Sequence, residues 1–106
     1  MTVSIKSGAE IARIRPEILL GLIIVNSVFT KYNVELVVTE GTGGAHMNGS
    51  LHYSGLAVDI RSKHIIPSFK GGAINDCRVA LGEDFDFILE AEGTDNEHLH
   101  LEYQVR

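Results

Sequence analysis

The sequence predicts an α+β domain: a mainly antiparallel sheet, with helices packed on one face and polar, ligand-bearing side chains on the other. Three observations predict it. One apolar stripe of helical period runs from Ile18 to Tyr32. Residues 56–61, 85–90 and 98–105 alternate apolar and polar with a period of two. Stretches rich in glycine or polar residues separate these segments.

Residues 1–14 carry no clear period and read as a lead-in. Pro16 and Glu17 suit a helix's first turn, where a missing amide hydrogen costs nothing and a negative charge meets the positive end of the dipole. Ile18, Leu22, Val25, Phe29 and Tyr32 follow at spacings of four, three, four and three, widened by Leu19 and Ile23, and predict a helix over 16–31. Val34 to Thr39 is rich in β-branched residues and predicts a strand. Glu40 to Gly49 contains four glycines and predicts a loop, with no Lys-Ser/Thr pair to suggest a phosphate cradle.

Leu56 to Arg61 predicts a central strand with Leu56, Val58 and Ile60 on one face and Ala57 and Asp59 on the other. Residues 62–72 read as irregular, and Ala73 to Leu81 as a short helix stopped by Gly82. Phe85 to Glu90 predicts a third strand. After a polar turn, the last strand sets Leu99, Leu101, Tyr103 and Val105 against His98, His100, Glu102 and Gln104.

At 106 residues with 44% hydrophobic content, the chain is one domain, 1–106, with enough apolar surface for a core. A net charge of -5 and scattered basic residues exclude a nucleic-acid footprint. The apolar run around Leu19 to Val25 falls far short of the ~20 residues of a membrane span. The single Cys77 excludes an internal disulfide and reads as a small buried hydrophobe. The N-terminus lacks a signal peptide's apolar run, which predicts synthesis in the cytoplasm. Neither nucleic acid nor membrane is expected as a partner, and the chain is expected to be a monomer.

The chemistry concentrates in two stretches. Ser50-Leu51-His52-Tyr53-Ser54-Gly55-Leu56-Ala57-Val58-Asp59 holds an imidazole and a carboxylate seven residues apart, and Glu97-His98-Leu99-His100 supplies two more imidazoles and another carboxylate. A hydrolytic zinc site needs three protein ligands, an open position for water, and a carboxylate to accept that water's proton. Asp59 on an otherwise apolar strand needs a cation to offset burial, either a metal or Arg61 two residues on. His98 and His100 share a face, so strand geometry leaves either as the third ligand.

These residues, in this order and with their flanks, resemble the zinc D-Ala-D-Ala carboxypeptidase and L-Ala-D-Glu endopeptidase family of peptidoglycan peptidases, to which many phage endolysins belong. The resemblance spans roughly residues 14–105 and is carried by motif order. It implies a single peptidase domain with Zn2+ on His52, Asp59 and His100, on the sheet face opposite the helices. It implies Glu97 as general base through the Glu-x-x-His spacing, with Glu102 as the rival on strand alternation, and leaves His98 either as a support behind the ligands or as a proton donor near the substrate. Ser50 would contact the substrate. The chain departs from the family in one loop: Glu40-Gly41-Thr42-Gly43 has no arginine where many relatives carry one to hold the oxyanion. His46, Arg61 or His98 could supply that charge.

The expected function is cleavage of an amide bond in the peptidoglycan stem peptide, as a phage-type lytic enzyme acting on the cell wall after release. The alternative is a catalytically silent, zinc-stabilised binding module on the same fold.

Overall fold

The computed structural model describes residues 2–43 and 51–104. The elements in chain order are β1 (Val3–Ile5), α1 (Pro16–Lys31), β2 (Leu36–Glu40), β3 (Ala57–Arg61), α2 (Pro67–Leu81), β4 (Phe85–Glu90) and β5 (His98–Tyr103). The strands form one mixed sheet in the order β1-β2-β3-β5-β4. The β1–β2 pair is parallel, and the β2–β3, β3–β5 and β4–β5 pairs are antiparallel.

Helix α1 begins at Pro16 as the sequence predicts, with Glu17 in its first turn and no side-chain cap from Arg15. Packing stabilises it instead. Ile18, Leu22, Val25, Val28 and Phe29 are all buried. Each contributes about 1.5–3 kcal/mol on burial, more than the ~1 kcal/mol of a missing N-cap. Leu19 and Ile23 do not widen the buried stripe: they are 49% and 65% exposed and lie on the helix's outer side.

Two expectations are corrected. The second helix is not a short one from Ala73; it starts at Pro67, and Gly71 and Gly72 lie inside it. Its buried residues Ala73, Ile74, Cys77 and Leu81 anchor it to the core, and that packing carries the two glycines through the helix. The lead-in is also more structured than expected. Val3–Ile5 adds a parallel edge strand to β2, an element too short for a period to show in sequence.

Both helices cover the face that carries Val38, Val58, Ile60, Phe87, Leu99 and Leu101, which form one core with the helix side chains. Cys77 is buried there, and burial pushes its thiol up to about 12, as fits a packing role. Among the described residues, no helix is long and apolar enough to cross a membrane. The other face of the sheet carries Asp59, His100 and Glu102, aligned by register: Asp59 faces His100 across β3–β5, and Glu90 faces His98 across β4–β5.

Candidate metal centre

His52 sits in the turn that feeds β3. The Gly55 N–H donates to the His52 carbonyl at 3.1 Å and the Leu56 N–H to the Leu51 carbonyl at 2.9 Å. Gly55 has φ +80, and a Cβ there would lie 2.1 Å from the Arg13 carbonyl oxygen. The lead-in therefore runs hard against this turn, and the Arg15 N–H donates to the Gly55 carbonyl at 2.9 Å. Only glycine meets both demands. Gly55→Ala is expected to lower the melting temperature by several degrees and weaken zinc binding, because strain of order 1–3 kcal/mol falls on the turn holding His52. Thermal melts and a zinc titration check this.

His52, Asp59 and His100 converge. His52 Nε2 lies 3.1 Å from Asp59 Oδ1, His100 Nδ1 lies 3.0 Å from the same oxygen, and the two ring nitrogens are 3.3 Å apart. Tetrahedral zinc with arms of about 2.0–2.1 Å has ligand atoms roughly 3.3 Å apart, so this triangle is close to one face of its coordination shell.

The far ring nitrogens are fixed as well. His52 Nδ1 is 2.9 Å from the Gly41 carbonyl oxygen, and His100 Nε2 is 2.9 Å from Glu102 Oε1. An N–H donated outward to a carbonyl or carboxylate leaves the inner nitrogen of a neutral ring with its lone pair turned to the shared centre. Gly41 is itself held close, since a Cβ there would lie 2.3 Å from the Glu10 carbonyl oxygen.

No protein-family model and no curated protein matches the chain.

Without a metal, the cluster holds protons. Burial raises Asp59, but hydrogen bonds from His100 and His52 outweigh it and hold the carboxyl well below the usual carboxylate range. The bond to Asp59 pushes His100 up to about 9; burial opposes this and Glu102 supports it. A folded value above the ordinary 6.5 means that this stabilisation is full below about 6.5 and is lost as pH rises through about 9. A metal bound here would compete with the same proton for Nδ1. In chelator, the melting temperature should fall between those pH values. The zinc affinity, measured by competition with a chromophoric chelator, should rise about tenfold per pH unit over the window.

His98 lies beside this triangle, its Nε2 3.8 Å from Asp59 Oδ1 and 2.9 Å from Glu90 Oε1. Arg61 is exposed on the strand that carries Asp59, directly opposite His98. No ion pair joins Arg61 to Asp59 among the described residues; the histidines take that carboxylate instead. His46 and Ser50 lie outside the described residues.

Glu97 is not brought to the cluster. Its carboxylate accepts from Ser62 Oγ at 2.5 Å, Lys70 Nζ at 3.0 Å and the Gly93 N–H at 3.2 Å. The Ser62 bond first, then Gly93 and Lys70, lower its carboxyl to about 2. The reason is strand alternation: Glu97 precedes Leu99 and Leu101 on the helix side, opposite His98 and His100. Glu102 shares the histidine face but is spent on orienting His100 and on Gln104.

A more exposed carboxylate beside the cluster is Glu90, 4.0 Å from His100 Nδ1 and 45% exposed. Sequence reasoning missed it. Its alternation with Phe85, Phe87 and Leu89 gave it a polar face, but only the β4–β5 register puts that face next to His98.

Proposed function

We propose that this protein is a zinc-dependent peptidase that hydrolyses an amide bond in the peptidoglycan stem peptide. The observation that carries the reading is the convergence of His52 Nε2, Asp59 Oδ1 and His100 Nδ1 at 3.0–3.3 Å, with both outer ring nitrogens tied to acceptors. The resemblance of the two motifs to the zinc D-Ala-D-Ala carboxypeptidase and L-Ala-D-Glu endopeptidase family supports the substrate class.

His52, Asp59 and His100 would hold the ion. Zinc bound there supplies an acidified water and a polarised carbonyl. The chain's own groups do the rest. Glu90 Oε1 accepts a proton from water and returns it to the leaving amine. His98 stands beside that carboxylate, its Nε2 2.9 Å from the same oxygen. Arg61, an exposed guanidinium on the same face, offers a planar donor fork to a substrate carboxylate or to the developing oxyanion. Ile88, 44% exposed and opposite His100 in the sheet, gives an alanine methyl an apolar contact.

The silent binding module keeps one observation in its favour: the loop Glu40-Gly41-Thr42-Gly43 lacks the arginine that many family members use for the oxyanion. Turnover separates the two readings. Zinc-loaded protein incubated with purified peptidoglycan should release new amines, and mass analysis of the fragments should assign them to one stem-peptide bond. Zinc-loaded protein that binds peptidoglycan and releases nothing would support the module.

A further inference from the structure

Among the described residues three histidines surround Asp59, and the inner triangle uses two of them. We propose that Asp59, Glu90 and His98 form an outer site for a second zinc ion, with Asp59 shared between the inner and outer ions. The proposal takes from the functional reading only the inner ion on His52, Asp59 and His100. It does not depend on peptidase activity.

The outer donors are already assembled. His98 Nε2 is 2.9 Å from Glu90 Oε1 and 3.8 Å from Asp59 Oδ1, and the three donor atoms all lie within 4.8 Å of one another. His98 repeats the arrangement seen at His52 and His100. Its far nitrogen, Nδ1, is 2.6 Å from the Asn96 carbonyl oxygen, so in the neutral ring Nε2 turns its lone pair to the cluster. A carboxylate, an imidazole and a shared carboxylate are ordinary zinc donors. Sharing one carboxylate between two ions about 3.5–4 Å apart is the geometry of two-metal hydrolytic sites.

Charge favours a second ion. Asp59, Glu90 and Glu102 are all paired with the histidines of this cluster. One divalent ion leaves these three carboxylates with net negative charge, and exposed Arg61 on the same face, in no ion pair with them among the described residues, offsets it only through solvent. Exposure sets the order of filling. The His52 side chain is 5% exposed, whereas His98 and Glu90 are 27% and 45% exposed. The inner site is therefore the enclosed, tight one. The outer site opens to water, which completes its coordination and makes it the weaker. Because the outer ion would occupy the carboxylate proposed as proton acceptor, excess zinc should inhibit.

The test is a calorimetric titration of metal-free protein with ZnCl2, followed by the same titration of Glu90→Gln and His98→Ala. Circular dichroism checks the fold, and the exposed Glu90→Gln serves if His98→Ala is unstable. The expected result is a tight first equivalent and a weaker second one in the wild type. Each variant should weaken the second equivalent at least tenfold and leave the first within about twofold. Saturation at one equivalent in the wild type, or a second equivalent that survives both substitutions, would overturn the outer site. His52→Ala separates the two claims. It should remove the tight event; a tight first equivalent that persists in it refutes the inner ligand set and, with it, the shared Asp59.

Discussion

Glu90→Gln is expected to lower turnover on peptidoglycan by roughly 10²–10⁴-fold, the loss typical of removing a general base. The measurement is amine release at one matched equivalent of zinc. Its melting temperature should stay within a degree or two, because Glu90 is exposed and its partner His98 retains the Asn96 contact. Glu97→Gln should behave in the opposite way. Its carboxylate ties the end of β3, helix α2 and the turn before β5 through Ser62, Lys70 and Gly93. Weakening bonds to a buried charged group costs about 1–3 kcal/mol. That corresponds to a drop in melting temperature of several degrees, with turnover per folded molecule nearly unchanged. It should also flatten the acid limb of stability. A carboxyl held near 2 stabilises the fold above its ordinary 4.5, and that contribution is lost as pH falls from there toward 2. If Glu97→Gln is the dead variant at an unchanged melting temperature, the family's Glu-x-x-His spacing is the better guide and Glu90 is not the base.

Loss of either inner histidine should have the second large effect. His52→Ala and His100→Ala should each abolish zinc retention after gel filtration, since two remaining ligands bind poorly. Chelation should lower the wild-type melting temperature, because the ligands come from the turn before β3, from β3 itself and from β5. An ion bound only by the folded state adds about 4 kcal/mol when its free concentration is a thousand times the dissociation constant. Elemental analysis and melting curves with and without chelator read both effects. A variant at His98 that loses all zinc while His100→Ala keeps it would reverse the ligand assignment.

Much of this was legible in the sequence, for identifiable reasons. Helix α1 was readable because Pro16 opens it and the apolar period runs unbroken to Tyr32, just before Asn33 turns the chain at φ 57. β4 was readable because Phe85, Phe87 and Leu89 alternate cleanly with polar or exposed neighbours. His52, Asp59 and His100 were legible as a group because a carboxylate on an apolar strand and two distant histidines have few other reasons to coincide. What escaped depended on tertiary register. Glu90 joins the site only through its pairing with His98, and the alternation that turns Glu97 to the helix side extends past the end of β5, where buried Ser62 and half-buried Lys70 receive its carboxylate. The glycines of α2 hid a helix that packing sustains. The lead-in looked unstructured because its role, pressing on Gly41 and Gly55, is carried by backbone carbonyls that leave no residue pattern.

X-ray absorption at the zinc edge of protein loaded with one equivalent probes the inner centre on His52, Asp59 and His100 itself. The expected spectrum has a shell of nitrogen and oxygen neighbours at about 2.0–2.1 Å with the outer-ring scattering of two imidazoles, reduced to one in His100→Ala at forced loading. A shell containing sulfur, a spectrum without imidazole scattering, or one that His100→Ala leaves unchanged would contradict it.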